Sequence, residues 1–85
     1  MLIDRGAVTG DFNNYLSPGI YRYTGSSSVE NNPGNVAGNL EVIVTSSYVI
    51  HRFTSYDRMY TRRYNDSSWT DWTSCVINEY ISCHL

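Results

Sequence analysis

The chain has 85 residues, a net charge of −2, no lysine and six arginines. Charge this sparse excludes the basic footprint of a nucleic-acid binder and the polybasic patch of a membrane-surface anchor. No apolar run approaches the ~20 residues that a membrane-spanning helix needs, and one domain of this size has so small a core that partners matter to it.

Residues 1–10 read as a lead-in. Met1-Leu2-Ile3-Asp4-Arg5-Gly6 lacks the basic region and apolar stretch of a signal peptide. Cytosolic synthesis is therefore expected, with Cys75 and Cys83 as free thiols. Asp11-Phe12-Asn13-Asn14-Tyr15-Leu16 fits one short helical turn, with Asp11 as its cap. Ser17-Pro18-Gly19 then breaks it.

From there the pattern is that of strands. Gly19-Ile20-Tyr21-Arg22-Tyr23-Thr24 alternates β-branched or aromatic residues with polar ones. Residues 25–39 lack periodicity and are rich in Gly, Ser, Asn and Pro, which predicts a long loop. Leu40-Glu41-Val42-Ile43-Val44-Thr45 is the densest strand signal. In Tyr48-Val49-Ile50-His51-Arg52-Phe53-Thr54, one face takes Val49, His51 and Phe53 and the other Tyr48, Ile50 and Arg52. Arg58-Met59-Tyr60-Thr61-Arg62-Arg63-Tyr64 follows, and Trp69-Thr70-Asp71-Trp72-Thr73 reads as the last strand. The expected fold is all-β and mainly antiparallel: a meander of about five short strands, one long loop and one N-terminal helical turn. Residues 74–85 read as an extra edge strand or a tail.

Catalytic chemistry is not visible. The carboxylates sit in turns or singly on strands, with no converging pair. There is no nucleophile elbow and no Gly-rich phosphate loop. His51, Cys75, Cys83 and His84 lack metal-ligand spacing, so neither a metal nor a cofactor is expected. The chain reads as a binding or assembly module, not an enzyme.

The eight tyrosines and two tryptophans are the positive signal. Tyr60, Arg62 and Tyr64 share one strand face. Because arginine is expected to face solvent or a partner, that face is a candidate recognition strip. The competing reading is a solvated face with arginine stems over the rings. Trp69 and Trp72 lie three apart, so on one strand they point to opposite sides, one inward and one outward. Either both are packing residues of an edge strand, or one is a stacking platform for a sugar ring or an interface anchor. Asn31 and Asn32 in the long loop are further candidate contacts. His51, between Val49 and Phe53, reads as a core or interface histidine.

These residues, taken in order, resemble the pyocin-knob domain of phage tail fibres and R-type pyocin fibres. Asp11-Phe12-Asn13-Asn14-Tyr15 resembles its opening segment, and Pro18-Gly19-Ile20-Tyr21 its "PG-hydrophobe-Y" step. Gly25-Ser26-Ser27 with Asn32-Pro33 resembles the "GSS…N-P" loop. Leu40-Glu41-Val42, Tyr60-Thr61-Arg62 and Trp69-Thr70-Asp71-Trp72 resemble "L-x-V", "Y-T-R" and "W-x-x-W". The resemblance covers residues 11–73. The chain departs from it at His51, where Gln is expected, and at Asp66-Ser67-Ser68, where Gly is expected. The resemblance implies a virion component, synthesised in the host cytoplasm and assembled with other fibre chains as a homotrimer. It implies attachment to a host-surface glycan or receptor, without membrane insertion. The alternative is a purely structural trimerisation or spacer module without ligand.

Overall fold

The computed structural model describes residues 3–76. Within them one mixed sheet has seven strands: β1 (Asp4–Ala7), β2 (Gly19–Tyr23), β3 (Gly38–Val44), β4 (Val49–Thr54), β5 (Arg58–Asn65), β6 (Ser68–Trp69) and β7 (Thr73–Val76). Their spatial order is β1 to β5 in sequence, with β6 and β7 both pairing with β5. All pairs are antiparallel except β1–β2. A single 3-10 turn (Phe12–Asn14) precedes β2, and the Asp11 side chain caps it by accepting from the Asn13 N–H at 2.8 Å.

The all-β meander and the helical turn thus follow the pattern read from the residues, with two additions. Residues 4–7 form β1, a parallel edge strand too short for its alternation to show. The expected final strand is two strands, because the chain leaves the sheet at residues 70–72. β7 carries the edge onward to Val76. Residues 77–85, with Cys83 and His84, lie outside the described residues.

Strand register sets the two faces. One row runs Tyr21–Leu40–Phe53–Tyr60 and the next Gly19–Val42–His51–Arg62. Side chains in these rows point to the same side, where Val8, Phe12 and Val29 cover them. Phe12, Leu40, Val42 and Phe53 are fully buried there. Each such side chain contributes roughly 1.5–3 kcal/mol of transfer free energy. Phe12 is the hub: its ring meets those of Tyr23, Phe53 and Trp72 edge-on at 5.1, 6.0 and 6.0 Å. The Tyr23 hydroxyl donates to the Ser26 carbonyl and pins the start of the long loop. On the opposite, open face Ile43, Ile50, Arg52 and Thr61 are only half-buried, and Arg63 is exposed.

The turns follow from short polar side chains. Thr45 Oγ1 accepts from the N–H groups of Ser47 and Tyr48, and Ser55 Oγ from that of Arg58, each at 3.2 Å. Between β5 and β6, Asp66 and Ser67 both adopt left-handed backbone, at φ 53° and 65°. That is the turn shape whose twist matches a two-residue hairpin, and it favours glycine. Ser67→Gly is therefore expected to raise unfolding stability by up to about 1 kcal/mol, measured by urea denaturation. A loss of stability would show that the Ser67 side chain contributes more than its backbone geometry costs.

Candidate functional site

The most unusual group on the covered face is a buried arginine. Arg62 is 6% exposed. A guanidinium taken out of water must find donors' partners and compensating charge density within the protein. Here its Nη1 donates to Asn13 Oδ1 at 2.8 Å. Its Nε and Nη2 both reach His51 Nδ1 at 3.3 Å. Its Cζ lies 3.9 Å from the Trp69 ring centre and 4.6 Å from that of Trp72. Desolvated cation–ring contacts of this kind are worth about 2 kcal/mol or more.

His51 is tuned to this role. Its Nε2 lies 2.7 Å from the Tyr15 carbonyl oxygen, which can only accept. The proton therefore sits on Nε2, and the Nδ1 lone pair is left for Arg62. Burial pushes the His51 pKa down to about 4, and the Arg62 charge adds to the lowering, against the Tyr15 hydrogen bond that raises it. Burial also lowers Arg62 to about 10, while Asp11 acts in the opposite direction. A neutral histidine beside an ionised arginine is the arrangement that avoids two buried positive charges.

The same network ties down the loop. Trp72 Nε1 donates to the Asn31 carbonyl at 3.0 Å, and Asn31 Nδ2 donates to Asp11 Oδ1 at 2.9 Å. Asn31 takes a positive φ of 58° to do so. Asn32 Nδ2 donates to the Val29 carbonyl, and its Oδ1 accepts from Gly34 and Asn35 N–H groups.

Two expectations are overturned. The Tyr60-Arg62-Tyr64 face is not an exposed strip. It lies opposite Phe53, His51 and Val49 in register, so it faces the covered side, with Arg62 buried and the two tyrosines half-buried. Arg62 faces neither solvent nor a partner chain's surface here, because Asn13, His51 and two indoles of the same chain surround its head group. Nor do Trp69 and Trp72 diverge. They are not on one strand, and leaving the sheet at residues 70–72 lets both rings converge on Arg62. His51 is the buried histidine its alternation predicted. Of the seven candidate contact residues, Asn31 alone is exposed.

The open face holds a second arrangement. A groove of about 670 Å³ runs across β3, β4, β5 and the segment after β6. Ile43 and Ile50 form an apolar floor beside Arg63, in the row Ile43–Ile50–Arg63. The neighbouring row is Glu41–Arg52–Thr61–Thr73. The Arg63 guanidinium lies 5.0 Å over the Tyr48 ring at the rim. Thr61 and Thr73 hydroxyls meet at 3.0 Å, and Thr70 and Asp71 complete the wall. The alternation of Tyr48, Ile50 and Arg52 with His51 and Phe53 already placed the β4 part of this groove opposite the core. Thr70 and Asp71 had no such signal, because they stand off the strands.

No family model matches the sequence, and no curated protein matches it. Among solved structures, the chain is similar to an N-truncated R2-type pyocin tail fibre, with a TM-score of 0.68 and 21% identity. The match covers 81% of this chain and 31% of the fibre chain, so the chain spans under a third of that structure's length. The likeness shows a shared fold, and it is the fold that the ordered motifs of residues 11–73 resemble.

The buried histidine has a consequence for acid stability. Unfolded, His51 takes up a proton near pH 6.5; folded, only near pH 4. Between those values the unfolded state holds more protons, so falling pH favours it. The His51 contribution is complete above about pH 6.5 and is lost progressively toward pH 4, by roughly 3 kcal/mol. His51→Gln, which keeps one donor and one acceptor, is expected to flatten this part of a stability-versus-pH curve. An unchanged curve in the variant would exclude His51 as its source.

Proposed function

We propose that the chain is a tail-fibre knob module of a virion that contributes to host-surface attachment by holding a surface glycan without covalent chemistry. The observation that carries this reading is the open-face groove. Its Ile43 and Ile50 floor suits the apolar face of a sugar ring, and its threonine hydroxyls, Asp71 and two arginines suit ring hydroxyls. Ligand sites of this kind combine apolar lining with a few placed polar groups. The fold shared with a pyocin tail fibre supports the setting. In this reading Tyr60, Arg62, Tyr64, Trp69 and Trp72, with Asn31 and Asn32, shape and stiffen the domain that presents the groove. The module works beside other fibre chains, with a homotrimer as the assembled form. Exposed Ile3, Leu16 and Tyr56 offer apolar contact to such neighbours.

The test is binding of the purified chain to surface polysaccharides from a panel of bacterial hosts, by biolayer interferometry. Tyr48→Ala is expected to weaken binding about tenfold, as loss of one aromatic contact does, with the unfolding midpoint unchanged. Trp72→Ala is expected to lower stability instead. Binding lost in a folded Trp72→Ala variant but kept in Tyr48→Ala would move the site to the covered face. Absence of binding to every fraction, with a trimer seen by light scattering, would favour the spacer role.

A further inference from the structure

The arginines of the chain are treated very differently by the fold. Arg62 has its whole head group engaged, and Arg5 Nε donates to the Pro18 carbonyl at 2.7 Å. Arg52 is another matter. Its side chain is 32% exposed, yet its Nε is buried and has no hydrogen-bond acceptor among the described residues. Its nearest carboxylate, Glu41 Oε1, stands 3.7 Å away, beyond hydrogen-bond distance. The buried Nε is out of a ligand's reach, but the exposed part of the side chain lines the groove and makes no hydrogen bond to the described residues. An anion that enters the groove meets this part of a partly desolvated guanidinium and gains a charge-assisted hydrogen bond.

The position of Arg52 gives that anion a place. It lines the groove between the Ile43–Ile50 floor and Thr61, and Arg63 stands across the floor on the same face. Two positive head groups therefore border one sugar-sized apolar surface. Asp71 on the wall opposes a uniformly anionic polymer and suits hydroxyl donors.

Resting on the groove reading above, we infer that the groove takes a saccharide bearing an anionic substituent, a carboxylate or a phosphate, with Arg52 as the residue that selects it. Glu41 is then a competitor for Arg52 that the ligand displaces. Removing its charge strengthens binding, which a purely structural ion pair would not do.

The experiment is calorimetric titration of the full chain with three probes: oligogalacturonate, a phosphorylated mannan fragment and neutral oligogalactose. One of the two acidic probes is expected to bind best, and which one does identifies the substituent. Its affinity is expected to fall severalfold between low and high salt, as a partly exposed charge contact does. Arg52→Gln is expected to lose about tenfold, and Glu41→Gln to gain a fewfold, both with an unchanged circular-dichroism spectrum. Equal binding of the neutral probe, lost in Tyr48→Ala but indifferent to salt, Arg52→Gln and Glu41→Gln, would overturn this inference and leave the attachment reading standing. Failure of all three probes together with every host polysaccharide would overturn both.

Discussion

The structure is organised around one positive charge that it has taken indoors. Arg62 sits on β5, an interior strand next to the β6–β7 edge, on what would otherwise be an apolar face. An ion there is tolerated only if its hydrogen bonds and its field are both satisfied. The chain answers with parts drawn from its whole length: Asn13 from the helical turn, His51 from β4, and Trp69 and Trp72 from β6 and the segment beyond it. Trp72 in turn holds the Asn31 carbonyl, and Asn31 holds Asp11, the cap of the helical turn. Segments as far apart in the sequence as Asp11–Asn13 and Trp69–Trp72 are thereby fastened to the same side of the sheet.

This arrangement divides the labour between the two faces. The aromatic residues that look like binding residues are consumed in packing and in solvating Arg62. Under the attachment reading proposed above, recognition falls to the other face, with its half-buried isoleucines, the Tyr48 ring under Arg63, and Arg52 beside Glu41. The hydrogen bonds and ring contacts of the covered face fix the strands that carry the open one, and a pre-ordered surface loses less conformational entropy on binding. The same fold occurs in part of a pyocin tail fibre.

Much of this was legible in the residues, and the failures are instructive. Alternation placed β2 to β5 and the faces of β4 correctly, because each of those strands is half-buried and at least five residues long. It missed β1, whose four residues are largely exposed and carry no alternating burial. It extended one strand through Trp69 and Trp72, because period-two reasoning cannot see where a chain leaves a sheet. It turned Arg62 outward, because hydropathy assigns a charge to water unless its partners are known. Those partners lie 11 and 49 positions away in the chain and are fixed only by the folded register. The groove was half visible for the same reason: its β4 and β5 residues follow from alternation, whereas Thr70 and Asp71 follow from the fold.

The central claim is that Arg62 is an internal group while Arg63, its neighbour in the chain, is exposed on the other face. Proton exchange at the arginine Nε–H groups, measured by nitrogen-resolved NMR, reads this directly. The account predicts a slowly exchanging Arg62 signal, displaced by the ring currents of Trp69 and Trp72, and a fast-exchanging Arg63. Equal, fast exchange at Arg62 and Arg63, with no ring-current displacement, would contradict it.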